Sequence, residues 1–96
     1  MASRITIYGS PADRDVKRLQ REMNVMYVEY AQVDPRKDPR ADRRLAEWSE
    51  PNQTLPIVEI EREDGLGSLF LTNPDEPTLR QSLYSEGILS ITAYWV

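Results

Sequence analysis

The segment from Ile5 to Leu19 constrains the fold of this chain more than any other stretch. Residues 4–8 alternate apolar and polar side chains, which predicts a short β-strand. Ser10 is suited to cap a helix and Pro11 to occupy its first position, while Asp13 falls three residues after the cap, as in a capping box. The sequence therefore predicts a helix over residues 11–26, whose apolar face consists of Val16, Leu19, Met23 and Met26. A strand, a turn and a helix N-terminus in this order form a junction where α/β folds place anion sites and low-pKa nucleophiles.

The remaining chain shows strand and helix patterns separated by clear turn signals. Residues 28–33 and 54–60 are rich in β-branched and aromatic side chains, which predicts two further strands. Asp38-Pro39 begins a predicted helix over residues 39–49, and Asp64-Gly65 predicts a hairpin that returns along residues 68–71. The last predicted helix has Asn73 as its cap, Glu76 in the capping box, Leu79 and Leu83 inward, and Gly87 at its end. The element order is β-α-β-α-β-β-α, which predicts an α/β fold with a four-stranded mixed sheet.

The length and charge of the chain limit the kinds of partner. Its 96 residues suit one domain, 40% of them are apolar and 29% are charged. The net charge of −4 predicts that neither nucleic acid nor an anionic membrane attracts the molecule as a whole. The sequence contains no apolar run of about 18 residues and no signal-peptide pattern, so we expect a cytoplasmic protein.

Cysteine and histidine are both absent from the chain. Without cysteine the protein has no thiolate nucleophile, no disulfide exchange and no cysteine-bound metal or iron–sulfur site. Without histidine it lacks the usual general base near neutral pH and the commonest metal ligand. The aspartates also do not follow the spacing of an EF-hand loop, so we expect no metal site. Any catalysis would depend on carboxylate, lysine, tyrosine, serine or threonine side chains.

Four short motifs resemble the mycoredoxin type of glutaredoxin, in order and at family spacing across about residues 4–86. They are Ile5-Thr6-Ile7-Tyr8 followed by Arg18-Leu19; Tyr30-Ala31-Gln32-Val33-Asp34, like Tyr-x-x-Val-Asp; Asn52-Gln53-Thr54-Leu55-Pro56, like Asn-Arg-Thr-Val-Pro; and Leu71-Thr72-Asn73-Pro74. The resemblance implies a thioredoxin-like fold in its minimal glutaredoxin form over residues 1–87. It also implies that Pro56 is cis and that the backbone before it binds an extended peptide or glutathione.

The chain departs from this family at the positions that carry its chemistry. Asp13 and Val16 occupy the two cysteine positions, Ser10 replaces a basic residue that helps to hold glutathione, and Gln53 replaces an arginine. Thiol chemistry is therefore excluded, and we expect no cofactor, with glutathione only a disfavoured alternative. Val16 is expected in the core.

Asp13 admits three interpretations. It is a helix cap, a charged contact in a binding groove, or a catalytic carboxylate; as an anion at a helix N-terminus it keeps the charge of the missing thiolate. The candidate groove comprises Ser10, Asp13, Arg14, Asp15, Thr54, Leu55, Pro56, Thr72 and Asn73. An alternative is an enzyme of glutathione-transferase type in which the Tyr8 or Ser10 hydroxyl stabilises a bound thiolate. Those enzymes carry a second helical domain, for which this chain has no room.

Two further segments are unusual in charge. Residues 35–44 carry a local net charge of +3, which we interpret as a solvated helix face with ion pairs. Residues 88–96 contain no charged side chain and predict an apolar extension. It either packs on its own domain or meets an unknown protein partner or a second copy through Ile91, Tyr94 and Trp95. Together these features predict a redox-inactive glutaredoxin-like interaction module that uses the groove and this extension; a purely structural subunit is the third interpretation.

Overall fold

Strands and helices follow one another in the predicted order. A computed structural model describes residues 4–48, 55–62, 65 and 67–89. The elements in this part of the chain are β1 (Ile5–Tyr8), α1 (Arg14–Val25), β2 (Ala31–Val33), α2 (Pro39–Trp48), β3 (Ile57–Glu61), β4 (Ser68–Thr72) and α3 (Glu76–Ser85). The predicted β-α-β-α-β-β-α order is confirmed, and the protein is a mixed α/β structure.

The four described strands form a single mixed sheet in the order β2-β1-β3-β4. β1 and β2 are parallel, joined by α1 as a crossover, with Ile7 opposite Gln32. β3 runs antiparallel to both neighbours, so that Val58 lies opposite Ile7 on one side and opposite Leu71 on the other. This topology is compatible with a thioredoxin-like fold.

One face of the sheet forms the larger part of the core with α1 and α3. Ile7 of β1 and Val58 of β3 have no solvent exposure, because their side chains meet the apolar faces of the two helices. The helix residues in this cluster are Val16, Leu19, Met23, Leu79 and Leu83. The predicted burial of Val16, Leu79 and Leu83 is confirmed.

The opposite face of the sheet carries α2. Tyr8 and Ile57 form a second buried cluster with Ala41 and Leu45 of this helix. Since successive side chains of a strand point to opposite faces, Ile7 and Tyr8 belong to different clusters. The sheet is therefore covered on both faces, with α1 and α3 on one and α2 on the other.

Two of the three predicted helix caps, Ser10 and Asn73, are wrong by a few residues, whereas Asp38 accepts the Arg40 N–H at 2.9 Å at the start of α2 as predicted. α1 begins at Arg14 and its cap is Asp13, whose carboxylate accepts the Asp15 N–H at 2.8 Å. The preceding residues form a turn instead, closed by a hydrogen bond of 2.9 Å from the Asp13 N–H to the Ser10 carbonyl. Because a turn must first redirect the chain from strand to helix, Ser10 lies too early to be the cap.

The cap of α3 is Asp75 and not Asn73. The Asp75 carboxylate accepts the Thr78 N–H at 2.9 Å, and hydrogen bonds from the Thr78 side chain and backbone lower its pKa. Asn73 has a φ of 38° and ends β4 with a sharp change of direction. Gly87, with a φ of 74°, follows the C-cap Glu86 and ends this helix as predicted.

Two strands are shorter than their sequence patterns predict. β2 covers only Ala31–Val33, because the Val28 N–H bonds to the Met23 carbonyl at 3.0 Å and still belongs to the end of α1. β3 begins at Ile57, after the Leu55–Pro56 peptide bond, whose cis form agrees with the resemblance. The first predicted residue of that strand, Thr54, lies outside the described residues.

The chain after α3 turns back toward the core. Ile88 and Leu89 are partly buried against the larger cluster, and the Ile88 N–H donates to the Leu83 carbonyl at 2.9 Å. The predicted contact residues Ile91, Tyr94 and Trp95 lie outside the described residues, so their role stays a prediction. Within the described ranges, no helix has the length and apolar character needed to cross a membrane.

Candidate functional site

The β1–α1 loop lies directly against the bend before β3. Gly9 makes this approach: a Cβ at its position would stand 2.6 Å from Val16 Cγ2 and 3.4 Å from Pro56 Cβ. A side chain at this position would therefore clash with Val16 and push the loop away from α1. The Gly9 N–H also donates to the Val33 carbonyl at 2.9 Å, which fixes the loop to the end of β2. The first helix thus starts beside the Leu-Pro bend, the geometry on which the resemblance depends.

Among the described residues, the backbone of the bend has no hydrogen-bond partner at Leu55. Pro56 is buried, and its carbonyl accepts the Asn73 N–H at 2.8 Å. Leu55 is half-buried, and its backbone makes no hydrogen bond to another described residue. An unpaired N–H and C=O pair beside a sheet can add an extended segment by the hydrogen-bonding pattern of a strand.

Asn73 connects the bend to α1. Its side-chain oxygen accepts a hydrogen bond from Arg18 at 2.9 Å, and its amide nitrogen lies 3.5 Å from an Asp15 carboxylate oxygen. Arg18 also donates to the Pro74 carbonyl at 3.0 Å. This network holds the β4–α3 turn against the first turn of α1, so Asp15 and Asn73 lie side by side, and the buried Pro56 is tied to them through the Asn73 N–H.

The other predicted groove residues have different surroundings. Asp13 is half-buried, and one of its carboxylate oxygens accepts the Asp15 N–H as the cap of α1. Thr72 is exposed and directly precedes Asn73. The Ser10 hydroxyl oxygen accepts a hydrogen bond from the Ala12 N–H at 3.3 Å. Arg14 lines a different concavity with Lys17. We therefore define the groove as Ser10, Asp13, Asp15, Leu55, Pro56, Thr72 and Asn73.

The polar side chains of the groove are already engaged in part. Its carboxylates and amide are engaged with backbone groups or with Arg18, and they leave hydrogen-bonding capacity at the surface. No cluster of three or more acidic side chains among the described residues is arranged to hold a metal ion. The sequence supplies neither cysteine nor histidine to serve as nucleophile or neutral-pH base.

A buried polar cluster under α2 was not predicted from the sequence. Glu59 of β3 is 1% exposed and accepts hydrogen bonds from the Tyr8 hydroxyl at 2.5 Å and the Ser68 hydroxyl at 2.7 Å. Arg44 of α2 forms a bidentate ion pair with the same carboxylate. Its Nε lies 2.9 Å and 3.0 Å from the two oxygens, and its Nη2 also donates to one of them. Every side of this buried charge is therefore matched by a donor.

Opposing effects set the ionisation of this cluster. Burial disfavours a charged Glu59, but the hydrogen bonds from Arg44, Ser68 and Tyr8 together outweigh it and lower the pKa of the carboxyl. Burial and then the hydrogen bond to Glu59 raise the pKa of the Tyr8 phenol far above its usual value. The pair with Glu59 likewise raises the pKa of the Arg44 guanidinium. At neutral pH, Glu59 and Arg44 are therefore charged and form a structural ion pair, while the Tyr8 phenol is neutral.

A signal for this cluster exists in the sequence. Glu59 follows Ile57 by two residues in a predicted strand, and both side chains therefore point to the same face. If Ile57 is buried, the carboxylate is buried too and requires a cationic partner. Which cation fills that role depends on how α2 crosses the sheet, and the local sequence does not contain this information.

Searches found no protein-family model and no curated protein that match the chain.

Proposed function

We propose that this protein is a redox-inactive, glutaredoxin-like interaction module whose groove binds an extended segment of a partner protein. The observation that carries the proposal is the Leu55 backbone, which has no hydrogen-bond partner among the described residues and adjoins the cis Leu55–Pro56 bond, with the β1–α1 loop beside Pro56. Because the chain contains no cysteine, it cannot exchange disulfides with what it binds.

The surroundings of Leu55 favour a peptide ligand. A backbone N–H and C=O pair binds any extended chain without regard to its side chains, while neighbouring pockets and polar groups select among sequences. Asp15 and Asn73 supply such groups on the α1 side, where Arg18 holds them in place. The uncharged extension at residues 88–96 is the second proposed contact surface.

The transferase-type alternative has no specific observation in its favour. The Tyr8 hydroxyl donates to Glu59 under α2, on the sheet face opposite the one that carries α1. It is therefore not available to a thiolate bound at the groove. Ser10 stays as the candidate hydroxyl for this alternative, and the experiment below includes glutathione for that reason.

The test is an NMR titration of the ¹⁵N-labelled protein with a mixture of cysteine-free hexapeptides and, separately, with glutathione. We expect the hexapeptides to shift the amide signals of Leu55, Asp15 and Asn73. Thr72→Tyr adds a bulky side chain at the exposed edge of the groove and should abolish these shifts. Ser85→Tyr adds the same side chain at an exposed position of α3 and should leave them unchanged.

Two results would contradict the proposal. Neither ligand shifting a groove amide at millimolar concentration would leave the groove without a binding function. Shifts with glutathione alone, together with turnover in a transferase assay that Ser10→Ala removes, would favour the enzymatic alternative.

A further inference from the structure

The outer side of α1 carries a row of cationic side chains beside an open concavity. Arg14, Lys17 and Arg21, here called the α1 basic stripe, are spaced three and four residues apart and so lie on one side of the helix. With Gln20, Asn24 and Tyr30 they line a concavity of about 590 Å³. No acidic residue belongs to this lining, although the chain has an overall charge of −4.

Within the described part of the chain, the α1 basic stripe lacks the ion pairs that neutralise the neighbouring Arg18. Arg18 lies on the groove side of the same helix, where it contacts Glu22 at 2.9 Å and Asp15 at 3.9 Å. No salt bridge joins Arg14, Lys17 or Arg21 to another described residue. Three like charges held together without counter-ions favour an external anion.

Tyr30 gives the concavity a firm aromatic wall. It is partly buried and packs against the larger hydrophobic cluster, while part of its ring faces the concavity. The amides of Gln20 and Asn24 add hydrogen-bonding groups that need no counter-charge. The surface thus combines three cations, two amides and one aromatic ring, which are the groups that bind a polar, negatively charged peptide.

The spacing of the charges indicates an elongated ligand. At 1.5 Å rise per residue, the three Cα atoms of the stripe span about 10.5 Å along the helix, in steps of about 4.5 and 6 Å. A single carboxylate or phosphate is also much smaller than the concavity of about 590 Å³ that these residues line, so a longer ligand fills it better. Acidic residues on one side of a partner helix repeat at the same intervals, and those of an extended chain repeat at about 6.6 Å.

We propose that the α1 basic stripe binds an acidic segment of a partner protein, with carboxylates paired to Arg14, Lys17 and Arg21. A nucleic acid is disfavoured, because three cations and one aromatic ring do not form the extended basic surface with several interleaved aromatic side chains on which nucleic acids bind. This surface lies apart from the groove, and its ligand is chosen by charge. The inference therefore stands or fails independently of the proposed function.

The experiment measures fluorescence anisotropy with a labelled 12-residue peptide of alternating Glu and Ala, and with its Gln–Ala analogue. The full-length protein should bind the acidic peptide at low salt, bind it more weakly at higher salt, and ignore the analogue. The triple variant Arg14→Gln, Lys17→Gln and Arg21→Gln should lose about tenfold or more in affinity, since three exposed ion pairs of ordinary strength add to that amount.

A matched control separates binding at the stripe from general electrostatic attraction to the protein. Lys37→Gln, Arg40→Gln and Arg43→Gln remove the same total charge around the start of α2 and should change the affinity by less than about twofold. Circular dichroism checks that both triple variants are folded. The groove variant Thr72→Tyr should bind the acidic peptide as well as the parent does.

Three outcomes would overturn the inference. The parent failing to bind the acidic peptide is the first, and an equal loss in the α2 control variant is the second. The third is tighter binding of inorganic triphosphate than of the acidic peptide, measured by displacement of the labelled peptide from the parent protein. If direct titration shows that the stripe variant no longer binds triphosphate, the stripe is a phosphate site instead.

Discussion

Replacing Arg44 by methionine should destabilise the protein through the buried charge that it leaves behind. The methionine keeps most of the aliphatic stem but removes the guanidinium that pairs with Glu59. Breaking a fully buried ion pair by removing one partner costs about 3–5 kcal/mol. The Glu59 side chain is 2% exposed, whereas that of Arg44 is 49% exposed, so water replaces part of the lost interaction. Since Tyr8 and Ser68 also keep their hydrogen bonds, we expect a loss of about 2–3 kcal/mol at pH 7.

The pH dependence gives this prediction a second, independent check. In the parent, the pKa of Glu59 is lowered from its ordinary value of 4.5, so its stabilising contribution is present above that pH and is lost as the pH falls through the lower folded-state value. In the variant, burial acts without the guanidinium and raises the pKa. Protonation then relieves the penalty as the pH falls toward 4.5, and the difference between the two proteins should narrow.

Urea unfolding followed by far-UV circular dichroism at pH 7 and near pH 4.5 measures both effects. At pH 7 the midpoint of Arg44→Met should lie roughly 1–2 M below that of the parent, for a slope typical of a domain this size. Arg43→Met is the control, since this neighbouring side chain is exposed and should cost less than about 0.5 kcal/mol. An equal loss in both variants, or a difference that does not change with pH, would refute the reasoning.

Three further predictions concern the groove and the core. Gly9→Ala should lower the free energy of unfolding by about 1–3 kcal/mol, because its Cβ would meet Val16 Cγ2 at 2.6 Å. In thermal unfolding, the double variant Gly9→Ala and Val16→Ala should lose less stability than the sum of the two single variants, and strict additivity would contradict the clash. Asp13→Ala should lose about 1 kcal/mol as the true cap of α1, whereas Ser10→Ala should lose far less, and chemical denaturation yielding the reverse order would contradict the assignment. Leu83→Ala, at a position with no solvent exposure, should cost about 2–5 kcal/mol in the same assay, and a loss below about 1 kcal/mol would show that this site is not core.

The local sequence was sufficient to predict the order and type of the elements. Alternation in residues 4–8 and helical spacing in residues 16–26 reflect which side chains must leave water, and this requirement acts within a few residues along the chain. For the same reason the burial of Val16, Leu79 and Leu83 was predicted correctly. The element ends were less accurate, since the sequence offers several cap residues in a row, and only the path of the chain selects Asp13 over Ser10.

The composition alone also determined what the groove cannot do. A chain without cysteine or histidine has no thiol chemistry and no neutral-pH imidazole base in any fold. The resemblance placed Asp15, Leu55, Pro56 and Asn73 in one groove, and the described structure brings the first and last of these into contact through a long-range hydrogen-bonding network.

The tertiary structure alone decided which charges are neutralised and which are left exposed. Arg18 and Arg21 are both cations of one helix, yet the first donates to Asn73 in the β4–α3 turn whereas the second joins the α1 basic stripe. Arg44 likewise belongs to a run of similar residues, and the crossing of α2 over β3 makes it the partner of Glu59. Such pairings join residues that are 15 to 55 positions apart. Local patterns carry no information on them, because the distance between two charges is set by the packing of whole elements.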